Sequence, residues 1–463
     1  GRKARQSAMS AAASRRSAQA RRGAALSGTA RMPGDKSISH RAIILASIAT
    51  GTSHVKGLLE GDDVLATIAA MRAMGASIDK QDKQDEQGDA VWRIKGVGPM
   101  GLTAPTAPLD FGNAGTGVRL VMGLVAGAGI DARFSGDASL SARPMGRVLD
   151  PLRQMGAQAD ALMADDGAQR LPVHIKAAYL MPANITPNVA SAQVKSAILL
   201  AALGTMGTTS VREKIATRGH TETMLELFGA AISTQQQDGY HVVTLNNQTG
   251  PGALRALDLD VPGDPSSAAF PMVAALSVPG SDVVLENIML NRQRDGLIRV
   301  LRQMGADIEM LNPRQASGES CADLRVKYSK LKAIEVGADI APDMIDEYPA
   351  LAIAAAAAEG TTHMTGLAEL RVKESDRLAA IEAGLKANGV AVEAGADWLK
   401  VTGGPIKGGG LVATHHDHRI AMAFLCLGLS AEAPVSIDDS TMIATSFPTF
   451  FALMADLGAE IDG

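Results

Sequence analysis

Cysteine is scarce in this chain of 463 residues: Cys321 and Cys426 are the only two. They lie far apart and in no metal-ligand spacing. That excludes a disulfide framework and a cysteine-held zinc site, and it fits a reducing, cytoplasmic compartment. Long apolar runs are missing as well. The longest, such as residues 198–203 and 350–358, fall far short of the roughly 20 residues a membrane-spanning helix needs, so no membrane partner is expected. Positive charge is short in the body of the protein. Residues 1–23 hold seven Lys or Arg and no acid in an Ala/Ser/Gln background. Nothing there could form a core, and the segment is expected to be a disordered basic tail that resembles a transit-type sequence. Taking those seven from the 44 cations leaves 37 against 49 acids, a net charge of −12. So acidic a body excludes general binding of nucleic acid or an anionic membrane, and any basic site must be local.

What the chain does have is a repeat. MRAMGASI (71–78), LRQMGAQA (152–159), LELFGAAI (225–232), LRQMGADI (301–308), LKANGVAV (385–392) and MADLGAEI (454–461) share one form. Each reads as a helix end, a Gly suited to a left-handed cap, and the start of a strand. Their glycines, at positions 75, 156, 229, 305, 389 and 458, recur at a near-constant interval, which signals repeated supersecondary units. Between them HVVTLNN and DVVLENIML read as strands, while SAQVKSAILLAAL and PSSAAFPMVAALS read as helices. The units are therefore α/β, and six of them suggest two lobes of three. VPGDPSSAAF (261–270) echoes MPGDKSISHRA (32–42) and places the start of the second lobe near residue 261.

Cations recur at loop-to-helix junctions. In GDKSISHR, Lys36 stands at a helix N-terminus, where the macrodipole disfavours it, and Ser37 and Arg41 share one face. A helix start of this kind favours a bound anion. DFGNAGTGVRL (110–120) is a Gly-rich turn into a helix, with Gly112, Gly115 and Gly117 permitting close backbone approach. Arg143 precedes Pro144 and is biased to a loop. Ser191 reads as an N-cap with Gln193 in the first turn, and Arg218 opens another helix. Further on, Asp346 and Glu347 precede an Ala-rich helix. Lys373 and Arg377 lie four apart around Glu374, on one helical face, and Arg419 follows THHDH (414–418). The three histidines there lack the spacing of helical zinc ligands, so no metal is expected. Seven cations, Lys36, Arg41, Arg143, Arg218, Lys373, Arg377 and Arg419, thus recur in an acidic protein. A small, multiply anionic substrate held between two closing lobes would relieve their mutual repulsion.

PGDKSISHR, GNAGTG, RPMGR, SAQVKSA, IDEYP, RVKESDRL and DHRIAM, in this order, resemble the 5-enolpyruvylshikimate-3-phosphate synthase family from residue 28 onward. GDKS, SAQVK and RGHTE look like its class II form, whose fourth motif survives only as NRQR (291–294). The resemblance implies two inverse α/β lobes, each of three βαβαββ units, joined by a two-strand hinge. It places residues 34–260 in the N-terminal lobe, and 24–33 with 261–463 in the C-terminal one. The implied reaction moves the enolpyruvyl group of phosphoenolpyruvate to the 5-hydroxyl of shikimate 3-phosphate and releases phosphate, with no metal or organic cofactor, in a cytoplasmic monomer.

Position by position, the resemblance assigns Lys36, Ser37, Arg41, Ser191, Ala192, Gln193, Arg218, Asp346 and Lys373 to shikimate 3-phosphate. Lys36, Gly115, Arg143, Gln193, Arg377 and Arg419 fall at phosphoenolpyruvate positions. Glu374 is the expected proton donor to carbon, Asp346 the acceptor from the hydroxyl, and Lys36 the stabiliser of leaving phosphate. Thr445 stands where many members carry a phosphoenolpyruvate-binding Lys. Gly115 stands where glyphosate-tolerant relatives tend to have Ala, so sensitivity to that inhibitor is expected. Two rivals remain. A transferase acting on UDP-N-acetylglucosamine usually carries a reactive Cys in a first-lobe loop, and SGDASLSARPMG (135–146) has none. A non-catalytic anion binder would need the cations but not Asp346 and Glu374.

Overall fold

A computed structural model describes residues 14–85, 88–247 and 254–463. All six repeat signatures close a helix in the same way. Gly75, Gly156, Gly229, Gly305, Gly389 and Gly458 have φ between 76° and 109°. Each glycine N–H donates to the carbonyl three residues back and the next N–H to the one five back, as in Gly75 to Arg72 at 3.0 Å and Ala76 to Met71 at 3.1 Å. A β-carbon is strained in that conformation, so the glycine is what lets the helix stop and the chain reverse. A strand follows every time: Ser77–Gln84, Gln158–Met163, Ile232–Gln237, Asp307–Ala316, Ala391–Ala394 and Glu460–Asp462.

The described residues form six four-stranded sheets of one design. Leu109–Asp110 runs parallel to Ala132–Ser135, which is antiparallel to Gln169–Lys176, itself antiparallel to Gln158–Met163. With the helices between, each repeat is a βαβαββ unit. The chain divides into two compact units. The first comprises Pro33–Asp264 and the hairpin tip Arg314–Cys321; the second comprises residues 14–32, Pro265–Pro313 and Ala322–Gly463. Compared with the boundaries read from the sequence, the junctions shift by a few residues and the hairpin tip joins the first unit.

Three repeats borrow a strand from far along the chain; in one of them Ser27–Arg31 runs parallel to Asp282–Met289. Leu259–Asp260 lies parallel to Thr52–Lys56 in the first unit. In the second, Ala18–Arg21 runs antiparallel to both Val435–Ile437 and Glu460–Asp462. The expected disordered tail is therefore wrong for residues 18–21, while residues 1–13 lie outside the described ones. Ala18 and Ala20 face the core, and Arg21 pairs with Glu460 at 3.2 Å and Asp462 at 2.5 Å. The basic charge of this segment is answered by acids at the opposite end of the chain, which composition could not reveal.

The two Pro-Gly-Asp segments also meet. Gly34 and Gly263 form an antiparallel bridge. Asp35 N–H donates to Pro262 at 2.7 Å and Asp264 N–H to Pro33 at 2.9 Å. A β-carbon on Gly34 would fall 1.9 Å from the Gly57 carbonyl oxygen, so only glycine fits.

The first helix of each repeat is buried nearly all round: Lys36–Ile48, Gly115–Ala128 and Ala192–Ala202 in the first unit, Pro265–Ser277, Tyr348–Ala357 and His418–Gly428 in the second. Small residues permit the approach. Gly123 and Gly127 lie where a β-carbon would come within 2.1 and 2.3 Å of the Ala197 and Ala201 carbonyl oxygens. Chemistry is confined to the ends of such helices, because their middles admit no water.

Candidate active-site residues in the two units

In the first unit, Asp35 caps Lys36–Ile48 by accepting the Ile38 N–H at 2.8 Å. The cation that the helix dipole disfavours has a counter-ion: Lys36 Nζ lies 3.3 Å from Asp63 Oδ2. Arg41, one turn on, is buried. It donates to Thr221 Oγ1 at 2.7 Å, Ser196 Oγ at 3.0 Å and the Ser37 carbonyl at 2.9 Å, tying three helices together. Ser37 and Arg41 do meet, through the serine backbone. His40 between them is fully buried, with its Nδ1 2.9 Å from Thr67 Oγ1. Burial, then Lys36 and Arg41, push its pKa down to about 3 against a smaller opposing effect of Asp35.

Gly115 is the first residue of its helix, and a β-carbon there would fall 2.6 Å from Arg143 Nη1. Arg143 donates to Asn113 Oδ1 at 2.8 Å, and its Nε has no acceptor among the described residues. Gln193 donates to Thr116 Oγ1 at 3.0 Å and accepts from Arg119 Nη1 at 2.7 Å. Arg119 also donates to the Pro144 carbonyl at 3.1 Å. The Gly-rich turn, the Arg143 loop and the start of Ala192–Ala202 are thus one constellation. Arg119 joins them, and sequence reasoning missed it; a lone Arg inside the apolar run VRLVMGL was the signal. Ser191 caps Ala192–Ala202, accepting the Val194 N–H at 3.4 Å. Arg218 lies in the loop between Gly207–Glu213 and His220–Leu227.

In the second unit Arg377 is fully buried. It donates through Nε and Nη2 to Asp417 at 2.8 and 3.3 Å, through Nη2 to Glu374 Oε2 at 2.7 Å and through Nη1 to Asp346 Oδ1 at 3.3 Å. Burial works against its charge, but Asp417, Glu374 and Asp346 outweigh that and raise its pKa above an already high value. Four of its five N–H donors are taken by protein carboxylates. Asp346 and Glu374, from different helix starts, are therefore brought to one guanidinium. Asp417, which sequence reasoning did not single out, also accepts from Ser375 Oγ at 2.8 Å and from the Arg419 N–H at 3.0 Å. Its signal was the acid two residues before Arg419, at the N-cap.

Arg419 contrasts with Arg377. It is 5% exposed, and its guanidinium has no hydrogen-bond or ion-pair partner among the described residues. Lys373 departs from expectation. A 3-10 turn, Ala368–Val372, ends before it, its backbone is extended, and the helix begins only at Arg377. The two do not share a helical face. Thr445 is occupied locally, its hydroxyl donating to the Met442 carbonyl at 2.7 Å. Cys321, in the hairpin tip, falls in the first unit rather than the second, where the sequence division put it. It is buried, and burial pushes its thiol up to about 12, so it is no reactive nucleophile at neutral pH.

Six four-stranded sheets of βαβαββ design, divided between two compact units, define a two-unit α/β protein of repeated architecture. The family model for EPSP synthase (3-phosphoshikimate 1-carboxyvinyltransferase) matches residues 20–454. The chain is 56% identical over 452 residues to the 3-phosphoshikimate 1-carboxyvinyltransferase of Chelativorans sp. (strain BNC1), covering 96% of this chain and 98% of that one. It is 54% identical to the enzyme of the same name from Rhizobium johnstonii, covering 96% and 97%. A solved EPSP synthase from Acinetobacter baumannii matches with a TM-score of 0.83 and 44% identity over 96% of this chain and 99% of that one. The chain belongs to the EPSP synthase family.

Proposed function

We propose that this protein transfers the carboxyvinyl group of phosphoenolpyruvate to the 5-hydroxyl of shikimate 3-phosphate and releases phosphate. The observation that carries the reading is the pair of arginines in the second unit. Arg377 holds Asp346 and Glu374 ready as proton carriers, while Arg419 is a buried cation without a protein acceptor among the described residues. The Arg419 Nε is buried without a partner among the described residues, and an anionic substrate group would offset that lost hydration.

In addition, the 5-hydroxyl gives its proton to Asp346 as its oxygen bonds to C2 of phosphoenolpyruvate, and Glu374 protonates C3. In elimination, a methyl proton returns to Glu374 as the C2–O bond to phosphate breaks. Lys36 stabilises the departing phosphate, which carries off the proton held by Asp346. Ser37, Arg41, Ser191, Ala192, Gln193, Arg218 and Lys373 serve shikimate 3-phosphate. Gly115, Arg143, Gln193, Arg377 and Arg419 serve phosphoenolpyruvate, with Lys36 serving both. Gly115 leaves room for glyphosate, which we read as an inhibitor. The reading extends to a monomer in the cytoplasm, and none of the described helices is long and apolar enough to cross a membrane.

A phosphate-release assay with both substrates tests it. The expected result is phosphate released only when both are present, and lost in E374Q and D346N while both substrates still bind. No release by the wild-type protein overturns the reading.

A further inference from the structure

Lys195 is the most completely buried lysine of the first unit, with no exposed surface. It lies on Ala192–Ala202, on the turn after the residues assigned to substrate, and no step of the reaction above uses it. Its ammonium reaches Glu213 Oε2 at 3.1 Å, the Thr217 carbonyl at 3.1 Å and Glu222 Oε2 at 3.0 Å. An ammonium has three N–H donors, and here each has its own acceptor.

The placement of those acceptors is what matters. Glu213 is the last residue of strand Gly207–Glu213, Thr217 is in the loop, and Glu222 is in the first turn of His220–Leu227. One cation therefore pins the entrance, the middle and the exit of the short loop that carries Arg218. Glu213 tightens the same loop by accepting the Thr217 hydroxyl at 2.5 Å and its N–H at 3.3 Å. On the far side of Arg218, His220 Nδ1 lies 2.9 Å from Glu319 Oε1, both buried. A long arginine on an unrestrained loop would lose much conformational freedom on gripping a phosphate, whereas a pinned loop has already lost it.

We propose that Lys195 is a positioning residue that acts through Arg218, fixing its loop for the phosphate of shikimate 3-phosphate. The inference rests on the reading of Arg218 as a contact to that substrate. Lys195 does not touch the substrate; it sets where Arg218 stands. The SAQVK and RGHTE stretches are then two halves of one device, since the lysine of the first bonds the glutamate of the second.

The test is a double-mutant cycle in the full chain, with KM for each substrate and kcat measured for K195M, R218Q and K195M/R218Q. K195M is expected to raise KM for shikimate 3-phosphate about tenfold, the scale of one hydrogen bond to a charged group. KM for phosphoenolpyruvate should move little. In the R218Q background, K195M should add almost nothing, because the residue it acts through is gone. K195M leaves two buried carboxylates without their cation, so folding is checked by circular dichroism. Should it fail to fold, K195M/E222Q removes one charge of each sign and enters the cycle in its place. Full additivity with R218Q, or equal rises in both KM values, overturns the role of Lys195. An R218Q protein whose KM for shikimate 3-phosphate is unchanged overturns the proposal at the Arg218 assignment instead.

Discussion

The α-carbon of Gly115 faces the guanidinium of Arg143 so closely that an added methyl group would lie 2.6 Å from Nη1. The obstacle is the far end of a flexible side chain rather than backbone, so G115A can fold by moving Arg143. The cost falls on function: the displaced guanidinium loses its present seat against Asn113. G115A is expected to retain wild-type stability within about 1 kcal/mol, raise KM for phosphoenolpyruvate and weaken glyphosate inhibition. Urea denaturation and inhibition kinetics on the same preparation check all three.

Arg377 and Arg419 are both buried and should answer oppositely to removal. R377M strands three carboxylates and is expected to destabilise the protein by about 3–5 kcal/mol. R419M removes a charge with no acceptor among the described residues, so stability should hold or rise while phosphoenolpyruvate binding is lost. Denaturant midpoints beside substrate titration separate the two. An R419M protein as unstable as R377M would mean that Arg419 has a structural role.

His40 sets an acid limit. Its folded pKa is near 3, against 6.5 in the unfolded chain. The unfolded state therefore binds the extra proton between those values, and stability is present above about pH 6.5 and falls as pH drops toward 3. The slope from this one group is at most about 1.4 kcal/mol per pH unit. H40N can keep a bond to Thr67 without a titratable ring and should flatten that part of the curve. Stability measured by urea unfolding from pH 7 to 4 is the readout.

Two truncations bear on the strand Ala18–Arg21. Deletion through residue 22 removes the strand between Val435–Ile437 and Glu460–Asp462, together with the bond from Ser440 N–H to the Arg16 carbonyl at 2.7 Å. Deletion through residue 13 spares both. The longer deletion should melt several degrees or more below the shorter one. Differential scanning calorimetry of both proteins decides the point.

What the sequence disclosed is what is local. A helix end with its glycine, a cap such as Ser191, and a Pro-Gly-Asp turn are each written in a few neighbouring residues, so six repeats and most helix starts could be read. Arg41 and Arg377 stood out for the same reason, as charges placed near where a helix begins. Pairing across distance was hidden. Ala18 opposite Ile437, Gln193 on Arg119, and Lys195 between Glu213 and Glu222 depend on the completed fold. Lys373 was misplaced because a spacing of four implies a shared face only if the helix has already begun, and a 3-10 turn intervenes. The tail was misjudged because its acidic partners lie at the other end of the chain.

The bridge between Gly34 and Gly263 has a topological corollary. The whole segment Pro33–Asp264 departs and returns through adjacent backbone, as a cassette does. Insertion of one gene segment into another would need no rerouting of the host polypeptide. Protein engineers could likewise splice the flanking ends with a very short linker, or open new termini elsewhere while joining the old ones.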